Sequence, residues 1–274
     1  TPEQAAAIRA RADRRLDAVR DLFPPDAWEH TDPIVMESRG MRLLFKQYHS
    51  LPDGRVNLVP CTVIVLPDGQ RRANAENGRT MLLRAPQGAV LEFDEPLDLR
   101  AGRLARLVGG SLRGQVIVRG TESFPGANDE IELVTRDLEL DEFEIHTNEK
   151  VDFRFGRSVG KGRGLVATLL PSPGGSNHGP NIGGIDSIQL EREVELRLEG
   201  LETGVLPDSA DHMSDVEATE KPVLVKCDGK LTANLSAKVI TLEDAVDVCR
   251  GVPGQGGDSL TCDVLALVLG EPDR

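Results

Sequence analysis

Aromatic side chains make up only 3% of the 274 residues, with one Trp and one Tyr among them. A carbohydrate-active β enzyme stacks sugar rings on aromatic platforms beside paired carboxylates, so this scarcity sets that class last. The five histidines, His30, His49, His146, His178 and His212, sit on separate segments without the paired spacing of a zinc site. Cys61, Cys227, Cys249 and Cys262 contain no Cys-x-x-Cys, which lowers both the structural-zinc and the thioredoxin-like readings. No run of about 18 apolar residues occurs, so no stretch spans a bilayer as a helix. Positive charge is in deficit, 32 Lys and Arg against 45 Asp and Glu, for a formal charge of −13. Counterion release from a nucleic acid needs cations clustered along a face, so no nucleic-acid partner is expected.

Catalytic signatures are missing too. Gly156 to Gly162 (GRSVGKG) looks superficially like a phosphate loop, but Gly162 stands where Ser or Thr would meet magnesium and no helix follows. Asp208, Asp211 and Asp215 do not follow the spacing of a calcium loop, and a solvated acidic segment accounts for them. Carboxylates such as Asp141, Glu142 and Glu144 are plentiful, yet on an outer strand face they stay ionised without a catalytic role. No Ser-His-Asp grouping or nucleophile elbow can be picked out. The expectation is therefore a protein that is not an enzyme, with no catalytic residues, no metal and no cofactor.

What the chain has is strands. Met41 to Tyr48, Asn57 to Leu66, Thr80 to Arg84, Ala89 to Phe93, Leu97 to Leu99 and Gln115 to Val118 are short candidates. They are separated by Pro52-Asp53-Gly54, Pro67-Asp68-Gly69, Asn77-Gly78, Pro86-Gln87-Gly88 and Gly109-Gly110. Short strands at regular spacing without crossover helices mean an all-β sandwich, barrel or jellyroll. Pro171 to Asp186 and the acidic Thr203 to Lys221 read as long mobile loops. Between them, Ser187 to Leu198 reads as a strand pair or one long bent strand.

The clearest periodicity lies at the centre. Phe143, Ile145 and Thr147 alternate with Glu142, Glu144 and His146, and Val151, Phe153 and Phe155 alternate with Asp152 and Arg154. Period two places the apolar set on one face and the charged set on the other, as in an antiparallel sheet wetted on one side. With Asn148-Glu149-Lys150 between them, the two runs read as a hairpin.

These residues also carry a resemblance. Asp137-Leu138-Glu139-Leu140, then Ile145-His146-Thr147-Asn148-Glu149-Lys150-Val151, then Gly156, Gly160 and Gly162-Arg163-Gly164-Leu165 resemble the periplasmic lipopolysaccharide-transport proteins of the LptC and LptA (OstA-like) family. The C-terminal segment repeats the likeness. It runs through Val223-Leu224-Val225, Leu231 to Leu235, Ala245-Val246-Asp247-Val248 and Asp258-Ser259-Leu260-Thr261-Cys262-Asp263, where Asp263 precedes a closing apolar strand.

The resemblance implies an all-β, antiparallel, slit β-jellyroll that holds acyl chains between its sheets. It implies a non-catalytic conduit or bridge carrying lipopolysaccharide or a related lipid from the inner membrane toward the outer membrane. An ATP-driven inner-membrane transporter would supply the energy, and other jellyroll proteins would join by edge-strand stacking. The residues expected to face the lipid are Phe143, Ile145, Val151, Phe153, Phe155, Leu165, Val225, Leu231, Leu235, Val246 and Val248. An ordinary sandwich core would show the same pattern. The alternative function is an envelope scaffold or adhesion protein that binds other proteins and no lipid.

Organisation follows from the same reading. Residues 1–30 are expected to form a helical linker, because Ile8, Ala12, Leu16, Val19 and Phe23 share a stripe from Pro2 to Phe23 and Pro24-Pro25 stops it. Its arginines would lie near anionic headgroups, or the helix would pack on a sheet end. Residues 31–274 form an elongated β-jellyroll region, either whole or as sub-parts 31–200 and 222–274 joined by the acidic loop. The expected location is periplasmic, with a tether to the inner membrane through an N-terminal anchor that the given chain does not include. Trp28 reads as a core plug. The cysteines read as four buried thiols or as a set holding one disulfide, and strand parity disfavours a simple Cys249–Cys262 bond.

Overall fold

Alternating and fully apolar segments pair into a sheet because a lone strand leaves its N–H and C=O groups unsatisfied. The computed structural model describes residues 19–38, 41–66, 80–97, 104–122, 126–141, 143–171, 182–199, 222–234, 236–237, 239–250 and 258–268. Among them the strands are β1 (Ile34–Ser38), β2 (Met41–Ser50), β3 (Val56–Val65), β4 (Met81–Ala85), β5 (Ala89–Phe93), β6 (Leu107–Gly120) and β7 (Ile131–Leu140). There follow β8 (Glu144–Phe155), β9 (Ser158–Pro171), β10 (Ile182–Leu198), β11 (Val223–Cys227), β12 (Leu231–Asn234), β13 (Val239–Arg250) and β14 (Asp258–Val268). All 14 belong to one antiparallel sheet. The protein is all-β, and the helical pieces among the described residues are two 3-10 turns, Arg20–Leu22 and Trp28–His30.

Each long strand pairs with the strand before it and the strand after it. β4 and β5 together occupy one place in this meander, since both lie between β3 and β6; β11 and β12 likewise share the place between β10 and β13. The breaks within these shared places fall on a line. From Gly88 it crosses Gly114, Asp137, Gly164, Glu193 and Asp244-Ala245, all at positive φ, and the pairing slips beside it in β6–β7, β7–β8, β8–β9, β9–β10 and β13–β14. A bulge bends its strand, and bulges in register across neighbouring strands crease a whole sheet. Polar groups hold the crease. The Gly114 N–H donates to Asp137 Oδ1 at 2.8 Å, Thr135 Oγ1 to the Lys150 carbonyl at 2.9 Å and Thr147 Oγ1 to the Arg136 carbonyl at 2.8 Å.

The crease brings the two arms of the sheet together over a shared interior. Leu165, Leu190, Leu231 and Leu242 from one arm pack in one cluster with Val151, Val194, Val225, Val246 and Val248 from the other. An earlier cluster combines Leu43, Val63 and Leu83 with Leu58, Leu91, Leu112 and Leu138 in the same way. Each such side chain, once buried, contributes roughly 1.5–3 kcal/mol relative to exposure.

Where β1 to β4 run beneath the segment ahead of β1, they are buried on both faces. Val35, Leu44, Ile64 and Leu82 point away from the shared interior and are covered by Val19, Phe23 and Ala27 of the segment ahead of β1. Glu29 pins this strap. Its carboxylate is fully buried and accepts from Thr62 Oγ1 at 2.8 Å, Arg84 Nε at 2.7 Å and Arg84 Nη2 at 2.8 Å. Trp28 is half-buried at the rim of the same cluster, with Lys46 Nζ 6.0 Å from its ring centre.

Several local readings change. The hairpin expected at Asn148-Glu149-Lys150 is instead the creased middle of β8, whose halves pair with the same neighbours, β7 and β9. The chain reverses between the end of β7 at Leu140 and the start of β8 at Glu144, and again at the turn 156–157 between β8 and β9. Gly109-Gly110 falls inside β6 and not between strands, because a Cβ on Gly110 would sit 2.4 Å from the Val90 carbonyl oxygen of β5. Ser187 to Leu198 belongs to one long strand that begins at Ile182, so Ile182 to Asp186 are strand and not loop. Of the expected N-terminal helix, Val19 to Phe23 are described, and there the chain makes a single 3-10 turn. Residues 1–18, 67–79, 98–100, 172–181 and 200–221 lie outside the described residues, and so do His178, Asp208, Asp211, His212 and Asp215.

Candidate functional site

The residues expected to face a lipid divide by depth. Val151, Leu165, Val225, Leu231, Val246 and Val248 lie in the second cluster, each no more than 7% exposed. Phe153 packs half-buried against that cluster, and Ile145 packs against the first. Phe143 and Phe155 stand in solvent at 45% and 50%, because one precedes β8 in the turn and the other ends it. Leu235 lies outside the described residues. The crease thus gathers six of these side chains into one interior, with Phe153 packed against it.

Within that interior the ring of Phe153 lies across Gly160. A Cβ there would fall 2.3 Å from Phe153 Cζ and 2.8 Å from Leu196 Cδ2. The glycine spacing noted in the sequence has this physical basis: β9 leaves room for a large ring on the neighbouring strand.

The opposite face of the same strands holds a groove of roughly 410 Å³ across β7 to β11. Pairing sets its two walls. One wall runs Glu132, Arg154, Val159, Arg197 and Leu224 across successive strands, and the other runs Val134, Asp152, Lys161, Glu195 and Lys226. Lys161 Nζ lies 2.9 Å from Glu195 and Lys226 Nζ lies 3.8 Å from it. Lys161, more than Lys226, holds the Glu195 carboxyl below the usual carboxylate range. Glu132 pairs with Arg119 at 3.0 Å, and Arg197 with Glu199 at 3.1 Å. The sequence marks these as outward residues by their alternation, but only register makes them neighbours.

At the rim of the sheet, β14 pairs with β13 alone among the described strands. It is apolar on both faces: Cys262, Leu265 and Leu267 turn toward the interior, while Val264 and Val268 are 60% and 78% exposed. Exposed apolar edges of this length are normally blunted by charge or covered. The cysteines are all free thiols. Cys61 and Cys227 are buried, Cys249 pairs with Leu224 and Ser259, and Cys262 pairs with Val246. Burial pushes the Cys61 thiol up to about 12. Among the described residues no helix is long and apolar enough to cross a membrane.

The chain matches no protein-family model, no curated protein and no solved structure.

Proposed function

We propose that this protein is a non-catalytic lipid conduit of the cell envelope, an OstA-like slit β-jellyroll carrying lipopolysaccharide or a related lipid between its arms. The observation that supports it is the creased meander, whose two apolar clusters are each lined by inward side chains from both arms of a single sheet. The arms share ladder hydrogen bonds along the strands, while inside the fold they meet through side chains. Parting them exchanges protein–protein apolar contact for protein–acyl contact. Each buried methylene is worth about 0.8 kcal/mol relative to water, so a dozen contribute on the order of 10 kcal/mol per chain. Transfer from a membrane to an equally apolar interior costs little, and an ATP-driven inner-membrane transporter would set the direction. On this reading the protein works in the periplasm, and the two-faced apolar β14 is where a further jellyroll adds its strand.

The test places a photo-reactive amino acid at Phe153, and at Lys46, an exposed side chain of β2 beside Trp28, as control, with lipopolysaccharide present. Adducts at Phe153 and none at Lys46 support the conduit. Their absence at Phe153 in folded protein counts against it. A second reading, an envelope scaffold that binds proteins and no lipid, is favoured by one observation: six of the candidate side chains are already sealed in packed interior, and the two most exposed large apolar side chains among the described residues, Val264 and Val268, lie on β14. Capture of a partner strand at Val264 together with silence at Phe153 would select it.

A further inference from the structure

The groove on the outer face is a second feature of the same strands, with Phe153, Gly160, Leu196 and Val225 between its two walls. Its β9 to β11 end is unusual for a chain of charge −13, because Lys161 and Lys226 both face one carboxylate, Glu195, while Arg197 pairs with Glu199 at 3.1 Å. Across the groove from the lysines stand Val159, which is 39% exposed, and the half-buried Leu224. Glu195 is satisfied by Lys161 at 2.9 Å, and Lys226 at 3.8 Å retains donor capacity, as a lysine carries three N–H donors. Arg154, also in the wall, makes no ion pair among the described residues. A neutral apolar ligand would leave the spare donors of Lys226 and Arg154 unused, and a bare anion would leave Val159 and Leu224 wet. A ligand with both parts satisfies both walls, and the volume is of the order that buries a small molecule.

We propose that this groove binds a single-chain anionic amphiphile, its carboxylate or phosphate at Lys161 and Lys226 and its hydrocarbon along Val159 and Leu224 on the facing wall. The site stands on the outer face and does not rest on the lipid-conduit reading. Calorimetric titration of the full chain tests it, with dodecyl phosphate and laurate below micelle formation as probes. Inorganic phosphate, a neutral dodecyl glycoside and a poly-glutamate peptide serve as comparisons.

One bound amphiphile per chain is expected, with the tighter of the two probes identifying the head. The charge reversals Lys161→Glu with Lys226→Glu, and separately Val159→Asp, should each weaken it about tenfold in protein of unchanged circular dichroism. Raising the salt from about 0.01 M to about 0.15 M shortens screening from about 30 Å to about 8 Å and should weaken it further. Inorganic phosphate and the neutral glycoside should each bind at least about tenfold less tightly. The proposal is overturned by dodecyl phosphate and laurate both failing to bind, by unchanged affinity in both variants, or by a poly-glutamate peptide binding as tightly as the amphiphile.

Discussion

Replacing Arg84 by Met removes the cation that neutralises Glu29, a carboxylate with 0% exposure whose other donor is the Thr62 hydroxyl at 2.8 Å. Breaking a buried pair by removing one partner costs about 3–5 kcal/mol, since the remaining charge is stranded away from water. The reverse replacement, Glu29→Met, strands a guanidinium that is 14% exposed and can reach solvent, so its cost falls at the low end, about 3 kcal/mol. The double replacement strands nothing. Two Met side chains fill the same space apolarly, and the variant should lie within about 1 kcal/mol of the parent.

Urea titration measures this by two probes. Trp28, the only tryptophan, neighbours Glu29 on the strap and reports its detachment, while far-ultraviolet circular dichroism reports the sheet. With a slope of about 3 kcal/mol per molar, the Arg84→Met midpoint drops by about 1 M or more. Both probes should move together, because the strap covers Val35, Leu44, Ile64 and Leu82 and its loss leaves that face wet. Single replacements costing under about 1 kcal/mol, or a double that costs as much as their sum, would refute a desolvated pair.

Three other outcomes follow from the geometry. Gly160→Ala drives a Cβ into Phe153 and Leu196 and should cost about 1–3 kcal/mol in a thermal melt, recovered in part when Phe153 is also changed to Leu. Asp137, at φ 47°, should tolerate Gly better than Ala by roughly 1 kcal/mol although both lose the bond to the Gly114 N–H, because Ala keeps the left-handed penalty; equal stabilities would remove the strain argument. Cys61 keeps its proton up to about 12 when folded, whereas the unfolded thiol ionises near 9.0. Its contribution is therefore complete below pH 9 and declines as the pH rises through that window, so Cys61→Ala should flatten the alkaline fall in stability seen by denaturant titration. An unchanged slope in Cys61→Ala would show that Cys61 contributes nothing to it.

Alternation at Phe153, Val225 and Val248 made their inward facing legible, because period two follows from the pleat and needs no partner. The turn at Pro86-Gln87-Gly88 and the run Ala89–Phe93 were legible for the same local reason, as the chemistry of punctuation acts over a few residues. Asn148-Glu149-Lys150 misled. Polar residues between two alternating runs suit a hairpin and a bulge equally, and only the pairing of both halves with β7 and β9 decides between them.

Composition and periodicity by themselves determined that the chain is built of strands and that residues such as Val151, Val225 and Val248 turn inward, though not Phe143 and Phe155 at the ends of their run. Tertiary structure alone decided the rest. It aligned Gly88, Asp137, Gly164 and Asp244 into one crease, seated Glu29 between Thr62 and Arg84, and set Lys161, Glu195 and Lys226 side by side. The physical reason is range: side-chain parity is a property of consecutive residues, whereas register, creases and ion-pair rows join residues tens of positions apart, whose meeting depends on every strand between them.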